Sequence, residues 1–160
     1  FIEFKLLDPT AIRILELGCG GGVLSMGLAL RHCNVLATDY STKALLLTRL
    51  NGYANGIEIK TQRLDWRTCT FNRPFDVVVA ADVAYDRCVF PALNDCLMRA
   101  MIQGGVAILA EPYRSMGDDF IEFLLHCGWF VQIREARGIA SLHPRSRCRF
   151  IVVRHCQSSA

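Results

Sequence analysis

Apolar runs of strand length alternate along this chain with stretches whose apolar residues recur every three or four positions. Arg13 to Leu17 (Arg-Ile-Leu-Glu-Leu) predicts a short buried strand, and Val23 to Arg31 an apolar helix. Asn34 to Thr38 predicts a second strand ending at Asp39. Ser41 is the expected N-cap of a helix through Leu45, Leu46 and Leu50 that frays near Asn51-Gly52. Ile57 to Arg63 alternates like a strand and stops at Asp65-Trp66, and Phe75 to Ala80 is a fourth strand ending at Asp82. Val89 to Met101 reads as helix, and Gly104-Gly105 turns into a fifth strand, Val106 to Ala110. Asp118 to Cys127 is a further helix, with Gly128 placed as its C-terminal cap. Two strands close the pattern, Phe130 to Ile133 and Arg149 to Val153, separated by a polar loop containing Pro144.

Such alternation implies an α/β fold with a mostly parallel central sheet and helices on both faces. The last two strands, with no helix between them, imply an antiparallel C-terminal edge hairpin. No internal repeat, linker or low-complexity run divides the chain, so its 160 residues are expected to form one domain. A composition of 52% hydrophobic and 21% charged residues supports a sizeable core.

The candidate chemistry sits where the predicted strands end. Ile14 to Gly22 (Ile-Leu-Glu-Leu-Gly-Cys-Gly-Gly-Gly) runs a strand into Gly18, Gly20 and Gly22, where a backbone can turn tightly and a ligand can approach it closely. By itself that turn suits ordinary strand–helix geometry as well as a nucleotide. Glu16 is an odd neighbour for pyrophosphate and suits a ligand carrying positive charge, such as one with an amino group and a sulfonium. Asp39, 21 residues after Gly18, is placed to accept hydrogen bonds from a ribose diol, or to cap a helix. Asp65 and Trp66 offer a carboxylate for an exocyclic amine and a ring for an adenine face, although a lone Trp more often packs in a core. The fourth strand ends in Asp82-Val83-Ala84-Tyr85, and the fifth in Glu111, Tyr113 and Arg114. Each feature alone has a structural explanation. Together, at five successive strand ends, they favour a ligand containing a nucleoside.

This series resembles the seven-stranded class I S-adenosylmethionine-dependent methyltransferases, and among them the family-16 protein-lysine methyltransferases. The motifs that carry the resemblance are residues 14–22, Ala-Thr-Asp-Tyr at 37–40, Leu-Asp-Trp at 64–66 and Phe-Asp-Val-Val-Val-Ala-Ala-Asp-Val-Ala-Tyr-Asp at 75–86. The resemblance implies a Rossmann-like methyltransferase fold with S-adenosyl-L-methionine as cofactor. Glu16, Gly18, Gly20 and Gly22 would hold its methionine moiety, Asp39 its ribose, and Asp65 with Trp66 its adenine, with Cys19, Tyr40 and Ala81 as further cofactor-binding residues. Asp82 and Tyr85 would face the methyl group and the nucleophile as catalytic residues. Members acting on nucleobase or glutamine nitrogens carry prolines where Val83 and Ala84 stand, which argues against an adenine-N6 or glutamine acceptor, and the resemblance implies a protein lysine. Only 12 residues precede the first strand, fewer than is usual in the family, so an N-terminal segment is expected to be missing.

Charge and cysteine usage change this picture little. The net charge is +3, but Arg134, Arg137, Arg145, Arg147, Arg149 and Arg154 crowd the last quarter. They suit a solvated edge hairpin or, in an alternative reading as an assembly or binding factor, contact with RNA or a ribonucleoprotein. An RNA or small-molecule acceptor is the third reading. The eight cysteines include no Cys-x-x-Cys pair, so no metal is expected, and a reducing intracellular compartment is. Within that expectation the cytoplasm ranks ahead of the mitochondrion. No apolar run is long enough for a membrane span, so no membrane partner is expected.

Overall fold

The computed structural model describes residues 8, 10–135 and 148–156. Within the described residues seven strands and four helices follow one another as β1 (Arg13–Leu17), α1 (Val23–Ala29), β2 (Asn34–Asp39), α2 (Thr42–Ala54), β3 (Lys60–Arg63) and β4 (Phe75–Ala81), then α3 (Phe90–Ala100), β5 (Met101–Glu111), α4 (Ser115–His126), β6 (Trp129–Glu135) and β7 (Arg149–His155). A 3-10 turn at Arg87–Val89 leads into α3. The strands form one sheet in the order β3-β2-β1-β4-β5-β7-β6. The first five are mutually parallel, and β7 runs antiparallel to both β5 and β6.

Alternation along the strands sorts side chains onto the two faces of the sheet. Leu15, Leu17, Val78, Ala80 and Leu109 face a cluster that includes Leu93 and Leu97 of α3 and Phe120 and Leu124 of α4. Ile14, Val77, Val79, Val106 and Val152 face the opposite way, where Leu24 and Leu28 of α1 pack on them. With both faces covered, β4 can be apolar at nearly every position, which is why it reads as a continuous run and not as an alternation. Because β3 and β4 lie on opposite sides of the β2-β1 pair, the strand order reverses at β1, and the crevice between β1 and β4 is the switch point at which such sheets bind ligands. In the ladders Leu17 lies beside Thr38 and Ala80, and Ala81 beside Ala110, so the residues after these strands emerge at one rim.

Several boundaries differ from the pattern-based expectation for local reasons. β3 begins at Lys60 and not at Ile57, because the Ile57 N–H donates to the Gly52 carbonyl at 2.9 Å and serves the end of α2. β5 begins at Met101, with a register shift between Phe75 and Val77 that absorbs the Gly104-Gly105 turn inside the strand, Gly104 having φ +81°. α4 starts at Ser115, leaving Asp118 within its first turn. The expected edge hairpin is present but turned inward: β7 pairs with β5, and β6 forms the edge. The loop containing Pro144 lies outside the described residues.

The second helix shows where periodicity misleads. Leu45, Thr48 and Gly52 form its buried side, whereas Leu46, Leu47 and Leu50 are about half exposed. Gly52 is small because the chain returns against it: a Cβ there would lie 2.7 Å from the Ile57 carbonyl oxygen and 3.2 Å from Ile59.

Candidate active site at the strand ends

One half of the rim is built from backbone. Gly18, Gly20 and Gly22 all have positive φ, which L side chains adopt at a cost. At Gly22, the residue preceding α1, a Cβ would approach Thr48 Cγ2 to 2.6 Å, so this turn of the loop lies directly on α2. Thr48 Oγ1 donates to the Gly20 carbonyl at 3.0 Å and stands 3.3 Å from Cys19 Sγ, while Asn51 Nδ2 donates to the Gly21 carbonyl at 2.9 Å. Two side chains one helical turn apart therefore pin the loop. Neither was singled out from sequence; the signal that could have found them is a pair of polar residues among the leucines of α2.

Asp39 accepts the Gly20 N–H at 3.0 Å through Oδ2 and the Ser41 N–H at 2.8 Å through Oδ1. It thus ties the glycine loop to the start of α2, and each oxygen keeps a lone pair for a further donor. Tyr40 is exposed, and the Arg63 guanidinium stacks 4.9 Å from its ring centre. Trp66 is half-buried against the core, and its ring edge comes within 3.7 Å of where a Cβ on Gly18 would be. Asp65 holds the next turn by accepting the Arg67 N–H at 3.0 Å.

Glu16 lies deeper than the loop it precedes. It is 3% exposed and accepts a hydrogen bond from Ser25 Oγ on α1. Burial raises its carboxyl pKa, an effect that the Ser25 hydrogen bonds oppose and the nearby Asp39 charge reinforces. Burial likewise raises the Cys19 thiol.

The other half of the rim is built from charged side chains. Beyond the exposed Ala81, Asp82 adopts φ +57° and its N–H donates to the Ala110 carbonyl at 2.9 Å. Its carboxylate is engaged by both arms of Arg114, Nε to Oδ1 at 2.5 Å and Nη2 to Oδ2. That hydrogen-bonded carboxylate holds the Arg114 guanidinium above its ordinary pKa. Tyr85, four residues beyond β4, is 59% exposed. Arg114 was noted in the sequence only as a strand-end residue; its partner was not foreseen.

Behind that pair lies a buried ion cluster. Arg149 Nε meets Glu111 Oε2 at 2.7 Å with both side chains under a tenth exposed, and Arg149 Nη1 meets the exposed Asp118 at 2.7 Å. Burial pulls the Arg149 pKa down, but its hydrogen bonds with Asp118 and Glu111 outweigh burial and leave it raised. The other Glu111 oxygen accepts the Arg114 N–H, and the Arg149 guanidinium lies 4.7 Å from the centre of the Tyr113 ring. Gly117 makes room for this cluster, since a Cβ there would fall 2.5 Å from the Glu111 carboxyl and 2.6 Å from Arg149. Arg149 is therefore committed to the interior and does not belong to a phosphate-binding surface. Arg137, Arg145 and Arg147 lie outside the described residues.

A groove of about 400 Å³ opens elsewhere, between the 3-10 turn and α4, lined by Arg87, Phe90, Asp119, Phe123 and His126 among others. It contains none of the strand-end residues, and we assign the chemistry to the rim. Among the described residues no group of His, Cys, Asp and Glu is arranged to hold a metal, and no helix is long and apolar enough to cross a membrane.

The rim fits an aminoacyl nucleoside. Side chains at Gly18 would meet Val83 at 3.1 Å, whereas at Gly20 nothing stands within 4 Å, leaving an open, backbone-lined cradle. The Asp39 carboxylate and the Trp66 ring edge flank that cradle.

A family model described as lysine methyltransferase matches residues 4–125. The ubiquinone biosynthesis O-methyltransferase of Xylella fastidiosa (strain 9a5c) is 32% identical over 114 residues, 70% of this chain and 46% of that protein. The protein of the same name from Azoarcus sp. (strain BH72) is 37% identical over 73 residues, 44% of this chain and 31% of its own length. The chain thus spans less than half the length of these curated relatives. Among solved structures, the glycopeptide N-methyltransferase MtfA complexed with S-adenosyl-L-methionine matches with a TM-score of 0.79 at 14% identity, over 97% of this chain and 92% of that one. Ribosomal protein L11 methylase from Lactobacillus delbrueckii subsp. bulgaricus matches at 0.72 with 19% identity, over 97% of this chain and 75% of that one. The shared feature is the fold, a Rossmann-like methyltransferase sheet with an antiparallel β5-β7-β6 edge.

Proposed function

This chain belongs to the lysine methyltransferase family, whose model covers residues 4–125, and we propose that it transfers a methyl group from S-adenosylmethionine to a nitrogen, that of a protein lysine side chain. The observation that carries the proposal is the meeting at one rim of the glycine loop with its Asp39 tie and of the Asp82 carboxylate one strand away. When bound, S-adenosylmethionine supplies an electrophilic methyl on a sulfonium. Gly18, Cys19, Gly20 and Gly22 with Glu16 would hold its methionine part, Asp39 with Tyr40 the ribose, and Asp65 and Trp66 with Ala81 the adenine. The work left to the protein is alignment, because a methyl displacement needs the nucleophile in line and uncharged. A lysine with an ordinary pKa of about 10.4 must first release its proton to water, and its nitrogen then takes the methyl as the carbon–sulfur bond breaks and S-adenosylhomocysteine leaves. Asp82 orients the neutral nitrogen through hydrogen bonds, and Tyr85 offers its ring face to the positive charge that develops on that nitrogen as the methyl arrives.

Calorimetric titration of the protein with S-adenosylmethionine is the first test, with measurable binding expected below millimolar concentration. Absence of binding would leave a methyltransferase-fold binding or assembly role. Radiolabelled methyl transfer into cell extract, divided by protease and nuclease treatment, then reads the acceptor class. Asp82→Ala is expected to abolish transfer while changing the affinity for S-adenosylhomocysteine, which lacks the sulfonium charge, only a few-fold, and a fully active variant would refute the assignment of the acceptor face. A second reading, a small-molecule acceptor, draws on the O-methyltransferase relatives. Label recovered in the low-molecular-weight fraction, and not in protein, would select it.

A further inference from the structure

We infer that Arg114 is a charge-balancing residue of the acceptor face: its guanidinium cancels the charge of Asp82, so that an acceptor nitrogen is received as neutral amine and not as ammonium ion. The inference rests on the methyl-transfer reading above and adds to it the charge state of the group that enters.

Two exposed side chains that happen to meet contribute little, because each must be ordered to do so. Here both are aimed by the backbone. Asp82 is set at φ +57° with its N–H on the Ala110 carbonyl, and the Arg114 N–H is held by the Glu111 carboxylate. Glu111 is in turn fixed by the buried Arg149, so the direction of the Arg114 fork is inherited from the protein interior. The fork and the carboxylate then engage through two parallel hydrogen bonds, the geometry in which Arg differs from Lys.

The pair remains about half exposed, with side-chain exposures of 53% for Arg114 and 42% for Asp82, so an incoming group meets it directly. An unbalanced carboxylate at this point would favour a bound ammonium ion and delay the proton loss that methyl transfer requires. With Arg114 in place that bias is removed, while each Asp82 oxygen keeps a lone pair to accept an amine N–H. Arg114 therefore positions Asp82 as a neutral-site acceptor and does not itself touch the reacting atoms.

The test reads charge without needing an acceptor. The protein is titrated calorimetrically with S-adenosylhomocysteine and with sinefungin, which carries an amine-bearing carbon in place of the sulfonium and its methyl. Arg114→Gln is expected to raise the affinity for sinefungin relative to S-adenosylhomocysteine on the order of tenfold, the effect of one unbalanced charge a few ångströms away in partly wet surroundings. Arg114→Lys should return the ratio toward that of the unchanged protein, and Asp82→Asn should move it the opposite way. An unchanged ratio in Arg114→Gln, whether both affinities hold or both fall together, would overturn the inference. If the unchanged protein binds neither ligand at millimolar concentration, the methyl-transfer reading itself fails and the inference falls with it.

Discussion

The two halves of the rim solve opposite problems with opposite materials. The glycine loop is mostly backbone, contiguous over five residues from Gly18 to Gly22, and held by neutral hydrogen bonds from Thr48 and Asn51 and by the Asp39 carboxylate. The Asp82 side is made of ions drawn from the residue after β4, from β5, from the turn before α4, from α4 and from β7, residues as far apart in sequence as Asp82 and Arg149. A backbone cradle tolerates changes of charge but no added side chain. An ion cluster tolerates small changes of shape but no loss of a partner. The two halves should therefore fail differently when altered.

The largest effect is expected at the buried pair. Arg149→Met strands Glu111 in the interior and should lower unfolding stability by about 3–5 kcal/mol, read by urea denaturation. A loss below about 1 kcal/mol would mean that the acceptor side is not anchored there. On the glycine side, Gly22→Ala should cost more than Gly20→Ala. Both have positive φ, but only at Gly22 does a Cβ meet Thr48, at 2.6 Å, while the Gly20 position is open. We expect about 2–4 kcal/mol for Gly22→Ala against about 1–2 kcal/mol for Gly20→Ala, the latter being backbone strain alone. Equal costs would show that α2 yields to the added methyl.

The smallest effect is a trend with pH. Burial raises the folded-state pKa of Glu16 above the ordinary 4.5, so its ionisation opposes folding. Stability from this group is fully present below pH 4.5 and is lost as pH rises through the raised folded value. Glu16→Gln lacks that loss and can still accept from Ser25. Its midpoint relative to the unchanged protein should rise between pH 4 and pH 7 in thermal melts, even as cofactor affinity falls. A difference that stays flat with pH would put Glu16 in a wetter setting than the structure gives it.

Much of the fold was legible because strands buried on both faces and helices buried on one leave different periods in a sequence. The runs at 13–17, 34–39 and 75–81 could be placed to within a residue. The side of α2 that faces the sheet could not. Its leucines at 46, 47 and 50 point toward solvent, and the contact is made by Leu45, Thr48 and Gly52, chosen to fit the glycine loop and the returning chain. The inward placement of β7 was also invisible, since pairing between β5 and β7 depends on where the last strands dock and not on their own composition.

For the site the division is similar. The sequence by itself determined which chemical groups stand at the strand ends, because a strand followed by glycines or by an acidic residue is a local pattern: Gly18 to Gly22, Asp39, Asp65-Trp66, Asp82 and Tyr85. Only the tertiary structure decided how those groups are charged and held. Glu16 lies beneath α1 on Ser25, Arg149 leaves the apparent basic tail to neutralise Glu111, and Arg114 closes on Asp82 across 32 residues of chain. Electrostatic environment depends on distance and burial in space, and neither is carried by spacing along the chain.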